Sequence, residues 1–250
     1  MKPQHSRKPV KRSRNRVMDL PPPCDLSRLE HGFAQWDRAE DFICEAFAKF
    51  YGARIREVPA TLMAVQNMHG QITAVSGLRY GANEDFFLEQ YLDLPVEDYL
   101  RSVDSVDRSR IVEIANLTAP TPGHVRYMMI ALTTYLHSAG YEWVVFTAIG
   151  SLCNSLSQMH LSPIILGRAD PARLGRAAAD WGSYYDMNPQ VIAGQLADAS
   201  RVLTENISQP ESPMHQLWHS ASILGQQHRI AGYDHLITTE RKPGLLVVNA

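Results

Sequence analysis

Glu113 sits in the middle of SRIVEIANL, a run of residues 109–117 that is mostly apolar on both faces. That is the pattern of a strand covered on both sides. Ile111, Ala115 and Leu117 share a face with Glu113, and a carboxylate in that company needs a partner or a raised pKa. Two roles fit it: a proton acceptor poised near neutral pH, or a structural acid paired with Arg79 or another basic neighbour. Directly downstream, TAPTPG (118–123) leads into the helix-like HVRYMMIALTTYLHSAG. A loop that opens a helix straight after a buried strand presents unpaired backbone N–H groups, which suit a phosphate-bearing ligand. An embedded acid beside such a loop points to a transferase that uses a phosphate-bearing cofactor, more than to a structural protein.

The elements that must hold these groups can be read from periodicity. Val125, Met128, Met129, Leu132, Tyr135 and Leu136 fall on one side of a helix with Gly123 near its start and Gly140 as its stop. Tyr141–Ala148 is rich in aromatic and β-branched residues and reads as a second central strand. SLCNSLSQMHL then reads as a short helix and SPIILG as a strand. Upstream, Phe42, Ile43, Ala46, Phe47 and Phe50 form a helical stripe within Arg38–Tyr51. Thr61–Gln66 and Gln71–Arg79 read as a hairpin turning at Asn67–Gly70. Asn83–Leu92 predicts a short helix ending before Pro95, with another turn or two to Arg101. Asp170-Pro171 predicts a helix start, and Asn188-Pro189 predicts another, with a helix running to about Leu203. Thr204–Pro213 has the composition of a linker. A short helix at Met214–Leu224 follows, then a hairpin of His228–Thr239 and Leu245–Val248 that either extends the main sheet or forms an appendage.

Composition narrows the classes. A chain of 250 residues, 45% apolar and 20% charged, is a soluble globular protein with a substantial core. It has no run of about 18 apolar residues, and its basic start is followed by no apolar stretch, so neither a spanning helix nor a secretory signal is expected. Cys24, Cys44 and Cys153 stand apart with no C-x-x-C, as in a reduced cytoplasmic protein. Seven of the 24 basic residues lie within residues 1–16, which carry no acid, and the remaining 17 face 26 acids. That tail is too charged to pack. It is either a solvated extension or a tether to an acidic protein, anionic lipid or nucleic acid. Its charges have no interleaved aromatics, against a dedicated nucleic-acid site. G-x-S-x-G and the P-loop motif are absent, and His215 and His219 lack the glutamate of H-E-x-x-H, so no metal is expected.

The strand, turn into a helix, strand and short Asn-bearing helix resemble the ligand-binding half of the GNAT N-acyltransferase fold. More narrowly, VEIANL, Gly123–Arg126, WVVFTA, Ala169–Pro171, Trp181–Tyr185 and Phe87–Glu97 resemble the thermostable hemolysin family over residues 30–200. That family is similar in layout to acyl-homoserine-lactone synthases. The resemblance implies a mixed central sheet of about six strands flanked by helices, with Ile111–Leu117 and Tyr141–Ala148 splayed around a slot. With the charged tail and the linker-like composition, this gives a domain at 24–203, after a disordered tail at 1–23 and before a C-terminal linker, helix and hairpin at 204–250.

The implied co-substrate is an acyl thioester, on coenzyme A or on the phosphopantetheine of an acyl carrier protein. Its arm would lie against Leu117, Thr118, Gly123, His124, Val125, Arg126, Thr147 and Asn154. The GNAT loop carries more glycine than Thr121–Arg126, and His124 is bulky where close approach is expected, so the single phosphate of a carrier protein is favoured. Arg126 can supply charge that missing amides would have given. Asn116 stands where the lactone synthases carry an Arg after their strand Glu, which argues against S-adenosylmethionine as acceptor.

Acyl transfer to an amine needs a base, a polarised carbonyl and a protonated leaving thiol. Glu113 is the first candidate base. Glu89 is a second acid, or a lid glutamate in solvent, with Tyr91 beside it. Tyr184 and Tyr185 can protonate the thiolate, or serve as packing. Asn116, Tyr91 and Tyr185 are candidates for contact with the acceptor. The resulting expectation is an N-acyltransferase acting on a small amine or amino acid. The alternatives are a membrane-acting protein, as the family's name suggests, or an inactive domain that binds an acyl carrier.

Overall fold

Proline-rich sequence at the chain's start conceals a strand. In the computed structural model, which describes residues 23–101, 106–206 and 212–230, Pro23–Glu30 forms β1. Leu26 and Leu29 turn inward, and Pro23, given by the sequence to the tail, occupies the strand's first position, where a missing N–H is tolerated. There follow α1 (Ala34–Tyr51), β2 (Thr61–Asn67), β3 (Ile72–Tyr80), α2 (Val96–Leu100), β4 (Ile111–Thr118) and α3 (Pro122–Ala139). Then come β5 (Trp143–Ala148), α4 (Gly150–Gln158), β6 (Ile164–Arg168), β7 (Gln190–Gln195), α5 (Leu196–Asn206) and α6 (Pro213–Gln227). Short 3-10 segments occupy Phe87–Tyr91, Arg108–Arg110, Pro171–Trp181 and Tyr184–Met187.

The seven strands form one mixed sheet in the order β1-β2-β3-β4-β5-β7-β6. Every neighbouring pair is antiparallel except β4 and β5. Those two pair only from Ile111–Glu113 against Trp143–Val145, although they continue to Thr118 and Ala148. Beyond Glu113 they part. Asn116 marks the cause: its φ of 51° is left-handed, a conformation Asn tolerates better than most residues. The β3–β4 register shifts close by, between Val75 and Gly77. A bulge of this kind bends a strand away from its partner.

The expectation of about six strands in a mixed, helix-flanked sheet holds: five strands read from sequence appear as β2–β6, and β1 and β7 bring the described sheet to seven. β7 replaces the first part of the helix expected after Asn188-Pro189. Val191, Ile192 and Ala193 are buried between β5 and β6, and a β-branched pair covered on both faces favours a strand over a helix. Asn188 closes the turn before it at φ 48°, so the helix begins only at Leu196. Asn83–Leu92 also differs, its helix being one 3-10 segment at Phe87–Tyr91.

Thr121 caps α3 by accepting from the His124 amide at 3.4 Å, Pro122 occupies its first turn, and Gly140 ends it at φ 96°. α3 is buried on more sides than its apolar stripe implied, because α6 covers its outer face. Leu217 and Ala221 join the same core, and Ser138 and Ser222 hydroxyls meet at 3.2 Å. Gly225 allows the close approach, since a Cβ there would lie 2.3 Å from the Tyr135 carbonyl oxygen and 2.8 Å from Ser138 Cβ. Gly225→Ala should therefore force α6 outward and cost about 1–3 kcal/mol. Urea unfolding of the two proteins checks this. The basic tail at 1–22, the middle of the expected linker (207–211) and the C-terminal hairpin beyond residue 230 lie outside the described residues.

Candidate active site

The divergence of β4 and β5 opens into a cavity of about 460 Å³, within the usual range for small-molecule sites. One wall is built from Asn116, Leu117 and Thr118 of β4, Phe146 and Thr147 of β5, Thr121 and Val125 at the start of α3, and Ser151, Leu152 and Ser155 of α4. The opposite wall is aromatic. Phe47 of α1 meets Trp181 and Tyr184, Tyr51 of α1 meets Tyr184, and Phe87 meets Trp181, with ring centroids 5.3–6.3 Å apart. Arg54 and Arg56 also border the cavity, and Arg56 is paired with Asp180 through two hydrogen bonds of 3.1 and 2.8 Å.

Glu113 and Arg79 share the floor. They stand directly opposite one another on β4 and β3, so both project to one face. Glu113 is 3% exposed. Its Oε2 accepts from the Phe87 amide at 2.7 Å and its Oε1 from the Leu88 amide at 3.1 Å. These are first-turn N–H groups of a 3-10 segment, which have no partner within it. Arg79 Nη1 lies 3.5 Å from Oε2. Burial pushes the Glu113 carboxyl up to about 7, against the downward pull of Arg79 and the two amides. Each carboxylate oxygen has more than one lone pair, so the group can still accept a proton from the cavity it lines. The Arg79 partnership considered from sequence is present, and it leaves the basic role open.

Glu89 is placed differently. It lies outside the cavity lining, and its carboxylate takes Arg108 at 2.7 and 2.9 Å and the Val96 amide at 3.0 Å. Arg108 also reaches Glu97 at 2.9 Å and stacks 4.5 Å from the Phe86 ring centroid. Burial raises the Glu89 carboxyl, but the Arg108 and Val96 hydrogen bonds more than offset this and hold it below its ordinary value. Neither a catalytic acid in the cavity nor a solvated lid glutamate, it ties residues 86–100 to the body of the protein.

Tyr184 is buried against the cavity, with its hydroxyl donating to Thr147 Oγ1 at 3.3 Å. Tyr91 also lines it and shares a 2.6 Å hydroxyl–hydroxyl hydrogen bond with Tyr185. Burial raises both Tyr91 and Tyr184 above the ordinary phenol range, so both are protonated at neutral pH. Tyr185 lies outside the lining and packs against Tyr91, Trp181 and Tyr184, which belong to it.

Among the residues expected to hold a thioester arm, Leu117, Thr118, Val125 and Thr147 border the cavity, while Gly123, His124, Arg126 and Asn154 do not. His124 is folded back, its Nδ1 2.7 Å from Thr121 Oγ1. Asn154 is exposed. Ser151 and Ser155, one turn apart on α4, face the cavity instead, and Asn154 lies roughly 100° round the helix from Ser155. The aromatic wall escaped sequence reading, because Phe47 looked like part of an ordinary core stripe.

A mixed sheet whose central parallel pair splays around a ligand-sized slot, with a capped helix starting at its edge, is the GNAT-like N-acyltransferase fold. TofI in a ternary complex with an inhibitor and MTA matches with a TM-score of 0.50 at 14% identity, over 72% of this chain and 96% of that one. BjaI, a CoA-dependent acyl-homoserine lactone synthase solved with SAM and isopentyl-CoA, matches with a TM-score of 0.50 at 10% identity, over 80% and 99%. At these identities the likeness is one of fold. The chain belongs to the thermostable hemolysin family, whose model matches residues 29–200. No curated protein has a matching sequence. Among the described residues no helix is long and apolar enough to cross a membrane.

Proposed function

We propose that this protein transfers an acyl group from a thioester to a small amine. The observation that carries the reading is the slot between β4 and β5, which opens beside a buried carboxylate held near neutrality. Past Glu113, the β4 edge facing β5 has no strand partner among the described residues, so its peptide groups are available to the amides of a phosphopantetheine arm. The acceptor nitrogen attacks the thioester carbonyl, forming the C–N bond as the C–S bond breaks. Glu113 takes the proton released by nitrogen, directly or through a water. The departing thiolate takes a proton from Tyr184 or Tyr91, whichever lies beside the sulfur.

The donor is either an acyl-carrier-protein thioester or an acyl-coenzyme A. The single glycine of Thr121–Arg126 favours the carrier protein, which brings one phosphate instead of a nucleotide. Either donor places the reaction in the cytoplasm. The membrane-acting alternative is disfavoured because α3, the strongest candidate for insertion, is enclosed by the sheet and α6.

Purified protein incubated with decanoyl-coenzyme A or decanoyl-carrier protein and mixed amines should release free thiol and yield an N-acyl product by mass spectrometry. Thiol release that depends on neither protein nor amine would overturn the reading. Leakage of dye from liposomes by the protein alone would support the membrane alternative.

A further inference from the structure

The geometry points to Arg79 as the residue that selects the acceptor, by holding the carboxylate of an α-amino acid whose amine faces Glu113. The inference rests on the acyl-transfer reading and names the acceptor class for that same site.

Glu113 is anchored without Arg79, because the Phe87 and Leu88 amides each satisfy one of its oxygens. The nearest approach of Arg79 to it is from Nη1 to Oε2, at 3.5 Å. A guanidinium carries five N–H donors in a planar fork, and no other carboxylate pairs with this one among the described residues. Arg108 shows what saturation looks like here, with three carboxylate contacts of 2.7–2.9 Å. Arg79 is instead a largely buried cation, its side chain 14% exposed, lining a cavity whose nearby walls are the rings of Phe87, Trp181 and Tyr184.

Such a fork is matched by a planar anion taken in two parallel hydrogen bonds. Its 3.5 Å spacing from the Glu113 oxygen suits a ligand that carries an amine and a carboxylate on one carbon. The acid faces the nitrogen, and the fork faces the carboxylate. An amine lacking the carboxylate leaves the fork unpaired in a low-dielectric site and forfeits the stronger contact.

The test compares the twenty common L-amino acids singly with the matching decarboxylated amines, using decanoyl thioester and thiol release. The wild type should show a higher kcat/KM for an amino acid than for its decarboxylated partner. Arg79→Gln should shrink that ratio by about 10- to 100-fold, the worth of a charge-assisted pair. Arg79→Lys keeps the charge without the fork and should give an intermediate ratio, which reads the same effect if the glutamine variant does not fold. Equal use of amines and amino acids, or a ratio that survives in both variants, would overturn the inference. An arginine that polarised the thioester carbonyl would give that second result, slowing both acceptor classes alike. Absence of thiol release with every acceptor would count against acyl transfer itself. Binding then decides the acceptor site: amino-acid stabilisation of the wild type in thermal melts, lost in Arg79→Gln, supports it, and no stabilisation of the wild type refutes it.

Discussion

Glu113→Gln should lower kcat/KM for thioester aminolysis by about 10²- to 10⁴-fold, the usual worth of a positioned base. Glutamine keeps the shape of the side chain but cannot take the proton from the attacking nitrogen. With the carboxyl at about 7, the wild-type rate should climb as pH rises through neutrality. The residual rate of the variant should lack that inflection. Stability carries a second signature of opposite sign. A carboxyl whose pKa rises from 4.5 to about 7 on folding binds its proton more tightly in the folded state. Its contribution is therefore complete below pH 4.5 and is lost as pH rises through 7, amounting to about 3 kcal/mol. The variant should show a flatter stability profile between pH 5 and 8 by urea unfolding. Substitution also turns an amide-accepting oxygen into a donor facing the Phe87 or Leu88 N–H, at a cost of about 1–3 kcal/mol at every pH. The pH-dependent difference therefore isolates the charge. A variant that keeps the wild-type rate would remove Glu113 from catalysis and leave it a purely structural acid.

The sequence disclosed what depends on neighbours along the chain, and concealed what depends on distant ones. β4, α3 and β5 were legible because their apolar spacing and the Thr121, Pro122 and Gly140 signals act within a turn or a strand. Glu113 stood out for the same reason, as a charge inside an otherwise apolar run. Asn188-Pro189 misled because a helix-start signature is local, whereas β7 forms by filling the gap between β5 and β6. Resemblance supplied Asn154, yet its phase on α4 turns it away while Ser151 and Ser155 face inward. The aromatic wall was least legible. It exists because the end of α1 meets the segment around Trp181–Tyr185, with Ser183 N–H donating to the Tyr51 carbonyl at 2.8 Å across 132 residues of chain. No periodicity encodes that meeting.

That meeting turns on Gly182, and Gly182→Ala should be among the most damaging single-methyl additions in the protein. Gly182 has φ 53° and ψ −129°, a conformation open to glycine and strained for any L side chain. Its absent Cβ would lie 2.0 Å from the Tyr51 carbonyl oxygen and 3.0 Å from that of Gly52. Those atoms are backbone at the end of α1, where Gly52 itself turns at φ 64°, so no side-chain rotation relieves the clash. The segments must separate, breaking the Ser183–Tyr51 hydrogen bond and the 2.6 Å bond from the Arg54 amide to the Asp180 carbonyl. Trp181 and Tyr184 would leave Phe47 and Tyr51, opening the aromatic wall. Strain and overpacking together amount to about 2–5 kcal/mol, measurable by urea unfolding. At temperatures where the variant remains folded, KM for the acceptor should rise more than kcat falls, because Glu113 sits on the sheet and keeps its place. Gly175→Ala is the control. Gly175 has nearly the same backbone conformation, φ 56° and ψ −126°, but a Cβ there meets nothing within 4 Å among the described residues. It carries the strain without the clash, so the excess loss in Gly182→Ala measures how tightly the wall is held. Equal losses in the two variants would mean that the α1 contact yields freely and does not position the site.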